Sequence, residues 1–330
     1  MKAVCVKPDR SLEIRDVPAP TNPPAGHVVV EMEAAAVMHG DHSFLRMPKL
    51  PGIAENLHDT WGASGAGRVI AIGADVPAAY AGKRVAIYRS LSSIRSKETI
   101  GTWCETTQVH HLSCVILPDH LDAKDYSGSI VNVFTAYAFL QQAIADGHRG
   151  IVATAGNSAT GRALLEFARH QNVPVISIVR SATAKGEVEH LGATHVLDTS
   201  DPQFEESFAA LAGQLKATAV FDGIGGALLT QIMPALPWGS TVYCYGFMGG
   251  GGPISIASPL LVTKNLMLKG FSNFAGLIAQ DAQKLAAAMT AISSMIDHPA
   301  FKTKQGPQFG LDQIGAAMAV EGAAPAILLP

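Results

Sequence analysis

The chain has 330 residues, 48% hydrophobic and 15% charged, with a formal net charge of -3; it is too long for one ordinary core and implies two domains. No basic block with interleaved aromatics marks a nucleic-acid binder, and no apolar run approaches the ~20 residues of a membrane helix. The start, MKAVCVK, lacks the apolar core of a signal peptide, and the scattered Cys5, Cys104, Cys114 and Cys244, without CxxC spacing, fit a reducing cytoplasm rather than a zinc knuckle or disulfide framework.

From residue 1 to about 118, strand candidates fall at 3–6, 28–34, 67–72, 84–88 and 108–110, punctuated by Pro- and Gly-rich turns at 18–26 and 50–53. Many short strands with such turns predict a compact β-barrel. The pattern changes at residues 150–161, GIVATAGNSATG. A β-branched run ends in a small-residue turn that opens a helix over 162–170. That geometry brings a pyrophosphate against backbone N–H groups at a helix N-terminus. Gly156 and Gly161 sit at the first and third glycine offsets of GxGxxG, and Ser158 stands where the middle glycine belongs. A plain β-turn-α of some other α/β protein is the alternative for this segment taken alone.

A strand at 173–179 follows. At its end, where an acidic residue would hold the ribose hydroxyls of NAD, the chain has Arg180 and Ser181, with Lys185 nearby. A guanidinium forks onto a phosphate, so this end points to NADP(H); a solvated loop cation is the plainer alternative. Strands at 195–198, 219–222, 241–245 and 266–269 alternate with helices at 184–191, 204–215 and 228–236. Such alternation predicts an α/β, doubly wound parallel sheet. Beyond it come helices at 280–295 and 311–320, and a strand at 326–329 that returns to the N-terminal domain. The glycine run at 249–252 reads as a cleft rim or a long turn.

Together these pieces resemble the medium-chain dehydrogenase/reductase superfamily. Its members pair a GroES-like β-barrel catalytic domain with a Rossmann dinucleotide-binding domain. Gly65-Ala66-Gly67-Arg68-Val69 with Ile72-Gly73, Gly82-Lys83-Arg84-Val85 and Leu191-Gly192-Ala193 carry the general resemblance. Gly101-Thr102-Trp103, Val131-Asn132 with Thr135-Ala136-Tyr137, the NSxxG of the phosphate loop and Leu268-Lys269-Gly270-Phe271 resemble the mitochondrial 2-enoyl thioester reductases within its zinc-independent branch. Zinc-free quinone oxidoreductases share the broader pattern. The resemblance implies a GroES-like domain over 1–120 and 268–330 and a Rossmann NADP-binding domain over 121–267.

It also implies a site. Met38 stands at the zinc-ligating Cys position and Gly62-Ala63-Ser64 where a GHE motif would be, so no zinc is expected. His39, His42 and His58 lie nearby without paired ligand spacing and read as ordinary polar histidines. A metal-free site suits a conjugated acceptor, which spreads the incoming negative charge itself. The enoyl-thioester branch places a proton-donating tyrosine shortly after the position of Asp41; residues 41–50, DHSFLRMPKL, hold none. His42, Lys49 and Tyr88 are the candidate donors, with His58 or water as substitutes; Tyr88 and Trp103 read equally as core, and Asp41 as a loop brace. Arg89, Arg95 and Lys97 are the nearby basic cluster and read as a solvated loop.

For the cofactor, the resemblance implies phosphate contacts from Gly156, Asn157, Ser158, Ala159, Thr160 and Gly161, with Arg180, Ser181 and Lys185 at the 2′-phosphate. It implies nicotinamide-side contacts from Thr135, Gly223, Tyr245, Gly246, Phe247, Phe271 and Ser272, with Asn273 beside them. The resulting expectation is a cytoplasmic, zinc-independent, NADPH-dependent reductase of a small molecule, a quinone, enone or enal. A 2-enoyl-CoA/ACP reductase and a non-catalytic NADPH-binding protein are the alternatives. A homodimer is expected, with the edge strand at 266–269 pairing across the two-fold.

Overall fold

The computed structural model describes residues 1–46, 56–94, 96–322 and 324–330. The chain divides into two compact units, Met1–Phe134 with Ile278–Pro330, and Thr135–Leu277. The first opens with β1 (Lys2–Val6), β2 (Leu12–Asp16), β3 (His27–Ala36), α1 (His39–Arg46), β4 (Ser64–Ile72), β5 (Arg84–Tyr88), β6 (Thr106–His110) and β7 (Cys114–Ile116). The ten-residue β3 is its spine, antiparallel to β4 on one side and β6 on the other. Val28, Val30 and Met32 from β3 meet Val69, Val85 and Ile87 in one buried core. Trp103 joins that core with no exposed surface, and its indole N–H donates to Ala36 O at 3.3 Å. The mainly polar α1 has no strong apolar stripe to predict it. It is held from outside, since Arg10 donates to the Phe44 and Leu45 carbonyls at its C-terminal end, where a cation suits the helix dipole.

Helix α2 (Ser129–Ala145) carries the chain across the division into the second unit. There follow β8 (Gly150–Ala153), α3 (Ala159–His170), β9 (Val175–Val179), α4 (Ala182–His190), β10 (Val196–Asp198), α5 (Phe204–Gln214) and β11 (Ala217–Asp222). Next come α6 (Gly226–Ile232), β12 (Thr241–Cys244), α7 (Ser258–Thr263) and β13 (Met267–Gly270). The strands form one parallel sheet in the order β10-β9-β8-β11-β12-β13. This is the doubly wound order 3-2-1-4-5-6, whose switch point lies between β8 and β11. All residues of β8 and β9 are buried, as a sheet covered on both faces requires. Phe139 of α2 stacks on Phe221 of β11, centroids 3.9 Å apart, with Tyr243 and Phe271 edge-on against it.

The chain returns to the first unit through α8 (Ala282–Ser293), β14 (Gln308–Gly310), α9 (Ile314–Met318) and β15 (Ile327–Leu329). β15 pairs antiparallel with β3, Ile327 opposite Ala36, and parallel with β14. The boundaries expected at 120/121 and 267/268 therefore fall at 134/135 and 277/278. The expected second cut would sever β13, whose residues pair with Thr241–Cys244 of β12. The helix expected at 228–236 stops at Ile232 and tightens into a turn over Met233–Ala235, because Pro234 has no N–H to continue it.

Candidate functional site

The phosphate-loop segment lies just beyond the end of β8. Gly156 N–H donates to Ile178 O of β9 at 3.0 Å, closing the turn onto the neighbouring strand. A Cβ on Gly156 would stand 2.8 Å from Ser177 Cβ, and one on Gly161 only 2.4 Å from Ala155 O and 2.6 Å from Gly156 O. Both positions are closed to any side chain without moving backbone. Those are the two glycine roles of the dinucleotide fingerprint, a tight turn and a close helix approach. Ser158 caps α3, its Oγ accepting the Gly161 N–H at 3.0 Å. That explains why α3 starts at Ala159, three residues before the expected 162. Asn157 donates through Nδ2 to Glu187 Oε2 of α4 at 2.9 Å, and its Oδ1 is buried without a partner.

Arg180 is exposed immediately after β9. Ser181 caps α4, its Oγ accepting the Ala184 N–H at 3.2 Å. Lys185 is half-buried in the first turn of that helix. The strand end and helix start thus carry two cations and one hydroxyl.

At the end of β11, the Asp222–Gly226 turn, which resembles the superfamily's turn after the fourth strand, carries a hydrogen-bond network with no local sequence signature. Asp222 has no exposed surface. Its carboxylate accepts the Thr154 hydroxyl at 2.6 Å and the Ile224 and Gly225 N–H groups at 3.0–3.2 Å. Thr154 Oγ1 in turn accepts the Gly223 N–H at 3.1 Å. This network ties β8 to β11 at the switch point.

Tyr245 stacks on Phe221, centroids 3.9 Å apart and 21° between planes. Its ring lies over Gly223, and its hydroxyl faces Ser158 and Thr160 at the start of α3. Burial raises its pKa, against the opposing hydrogen bond from Ser158. The structure therefore brings the Tyr245 hydroxyl to the phosphate loop. Gly246 is half-buried and Phe247 exposed beyond it. Phe271 sits edge-on to Phe221. Ser272 Oγ accepts the Ala275 N–H at 3.2 Å, and Asn273 Nδ2 donates to Thr135 Oγ1, so those two residues do come together.

The candidate proton donors in the first unit fare differently. His42 is half-buried on α1 beside an open cavity of about 460 Å³ that Arg10, Arg46 and Met318 also line. Burial, then the Arg46 and His39 charges, lower its pKa, which favours the neutral ring. Tyr88 is only 3% exposed and lies against Phe134, ring centroids 6.2 Å apart, which places it among core side chains. Lys49 and Arg95 lie outside the described residues.

Arg89 is no solvated loop residue. It turns inward, donating from Nε to Gly62 O and from Nη1 to Asn56 Oδ1 at 2.7 Å. Its charge faces Asp41, a 4%-exposed carboxylate that accepts the Met38 N–H at 2.9 Å. Burial pushes the Asp41 pKa up to about 7, against the pull of the Met38 N–H and of Arg89. Asp41 braces the turn into α1. Among the described residues no group of three or more His, Cys, Asp and Glu could hold a metal ion, and no helix is long and apolar enough to cross a membrane.

Comparison with known proteins matches residues 24–121 to the alcohol dehydrogenase GroES-like domain. Residues 159–292 match the zinc-binding dehydrogenase family. The mitochondrial enoyl-[acyl-carrier-protein] reductase of Xenopus tropicalis is 25% identical over 262 residues, covering 76% of this chain and 70% of that protein. Its counterpart in Mus musculus is 26% identical over 255 residues, covering 74% and 64%. The structure of Escherichia coli quinone oxidoreductase complexed with NADPH superposes with a TM-score of 0.73 at 17% identity, over 100% of this chain and 99% of that one. At that identity the likeness is one of fold.

Proposed function

We propose that this chain, a member of the medium-chain dehydrogenase/reductase superfamily by its two matching domain families, is a zinc-independent, NADPH-dependent reductase of a conjugated carbonyl compound or quinone. The observation that carries this reading is the loop from Thr154 to Gly161, packed too tightly for side chains at Gly156 and Gly161, opening α3 beside the cationic end of β9. The amides at the start of α3 suit a pyrophosphate. Arg180, Lys185 and the Ser181 hydroxyl suit a ribose 2′-phosphate. Gly246, Phe247, Phe271 and the bonded Thr135–Asn273 pair belong to the nicotinamide side of this reading.

When bound, NADPH supplies a hydride for the β-carbon of the acceptor. The conjugated system carries the resulting charge to its oxygen. Solvent supplies the proton in this reading, since Tyr88 is buried among core side chains and burial disfavours the charged form of His42. Reduction of 2-enoyl thioesters is the second reading, favoured by the names of the curated relatives. The absence of a tyrosine over residues 41–50 weighs against it. Free thiols at the buried Cys5, Cys104 and Cys114 and the half-buried Cys244 accord with a cytoplasmic setting.

Replacing Arg180 with Glu puts a carboxylate beside the 2′-phosphate. We expect a KM for NADPH raised by about 30-fold or more, the size of one lost charge-assisted contact plus repulsion, with the KM for NADH within about twofold. Equal shifts for both cofactors would remove the 2′-phosphate assignment.

We also propose a homodimer through β13. All four of its residues are exposed on the sheet edge, beside Val262 at 82% and Trp238 at 70% exposure. An unpaired apolar edge of this kind is a template for a second strand. Leu268→Asp is expected to convert a dimer in solution scattering to a monomer. A wild-type protein that is monomeric at micromolar concentration contradicts the assignment.

A further inference from the structure

The side of the phosphate loop that faces α4 holds more polar chemistry than the loop's own fold uses. Arg162, the fourth residue of α3, is half-buried, and its Nε is fully buried with no hydrogen-bond partner. Asn157, five residues earlier in the loop, has a buried Oδ1 that is also without a partner. Between them stands Glu187 of α4, which accepts from Asn157 Nδ2 at 2.9 Å and whose charge acts on Arg162. Buried polar atoms are nearly always bonded, so an unmet donor and an unmet acceptor on two residues that share one carboxylate mark a place that a ligand would complete by drawing these side chains outward.

The two unmet needs are specific. Arg162 Nε seeks an acceptor, and being part of a guanidinium it favours an anionic one. Asn157 Oδ1 seeks a donor such as a hydroxyl. A phosphorylated ribose offers both. In the doubly wound order seen here, the adenosine ribose belongs between the start of α3 and the end of β9, which is the side on which Arg162, Asn157 and α4 meet.

We propose that Arg162 is a specificity residue for the 2′-phosphate of the dinucleotide, with Glu187 as the positioning residue whose charge acts on its guanidinium in the free protein and Asn157 as the residue that orients Glu187. This rests on the NADPH reading above and adds a second cation to Arg180. Glu187 sets a counterweight. Its carboxylate holds the guanidinium while the phosphate is away and opposes the phosphate when it arrives, so Glu187→Gln should tighten binding where Arg162→Gln loosens it.

Calorimetric titration of the full chain with adenosine 2′,5′-bisphosphate and with adenosine 5′-monophosphate tests this without any turnover. The wild type should prefer the bisphosphate by about 100-fold, the scale of two charge-assisted contacts. Arg162→Gln should weaken the bisphosphate about 10-fold or more and leave the monophosphate within about twofold. Glu187→Gln, on the exposed face of α4, should strengthen the bisphosphate about threefold. An unchanged preference in both variants overturns the role of Arg162 while leaving the NADPH reading intact. A wild type that binds both ligands equally overturns the NADPH reading, and this inference with it. Equal weakening of both ligands by Arg162→Gln assigns the residue to loop folding and overturns the proposal.

Discussion

Arg89→Met is expected to destabilise the first unit by about 3–5 kcal/mol at pH 8, the loss typical of breaking a buried charge pair from one side. The guanidinium does three things at once. It satisfies Gly62 O, satisfies Asn56 Oδ1 and supplies the positive charge near Asp41. Met fills similar volume and does none of them. The pH dependence identifies the cause. The folded-state pKa of Asp41, about 7, lies above its ordinary value of 3.8. The unfolded chain releases this proton from pH 4 upward, whereas the folded chain keeps it until about 7. Stability from this group is therefore full below pH 4 and falls as pH rises to 7. Without Arg89 the folded pKa rises further, so the decline should run on above pH 7 and the variant should differ least from wild type near pH 5. Asp41→Asn, which still offers an oxygen to the Met38 N–H, should flatten the slope between pH 4 and 7. Urea unfolding followed by tryptophan emission in a Trp238→Phe background reads this unit, since Trp61 and Trp103 lie in it and Trp238 in the other. A loss under about 1 kcal/mol at both pH values, below the range for buried pairs, would mean that Arg89 and Asp41 do not act as a pair.

The second large effect is at Gly161. An alanine Cβ there meets the Ala155 and Gly156 carbonyl oxygens at 2.4 and 2.6 Å, and both are loop backbone that no side-chain rotation can clear. Either α3 slides away from the loop or the loop deforms, and both break the Ser158 cap on the Gly161 N–H. We expect Gly161→Ala to cost about 1–3 kcal/mol from overpacking and to lower NADPH affinity by about 30-fold or more, since each 1.4 kcal/mol of lost phosphate contact is tenfold. Gly186→Ala on α4 is the control. No atom lies within 4 Å of its added Cβ, so it should leave affinity unchanged and stabilise the helix by up to about 1 kcal/mol. Affinity in Gly161→Ala equal to wild type would show that this loop does not hold the phosphates.

These two sites also show what the sequence exposes and what it hides. The loop was legible because its chemistry is local. Two close approaches need glycine at fixed offsets, and a strand buried on both faces reads as a nearly continuous apolar run such as VISIV, with Ser177 its one polar residue. The parallel order followed from the alternation of such runs with helices. Arg89 was misread because a cation in a polar stretch looks solvated until its partners are known, and Asp41 and Asn56 lie 48 and 33 residues away in sequence. Asp222 was hidden for the same reason: its partner Thr154 comes from another strand, 68 residues earlier. Tyr245 was assigned to the nicotinamide side from its place after β12, but its stacking on Phe221 turns the hydroxyl toward Ser158 and Thr160. The eight-residue α1 and the five-residue β2 carry too few periodic apolar positions to stand out from loop.

NADPH oxidation, followed at the nicotinamide absorbance, against quinones, enones, enals and enoyl thioesters, with NADH and a metal chelator as controls, tests the reductase assignment. Turnover of one conjugated class is expected, at least about tenfold slower with NADH at equal concentration, and undiminished by the chelator. Turnover confined to unconjugated aldehydes or alcohols, or abolished by the chelator, would contradict it.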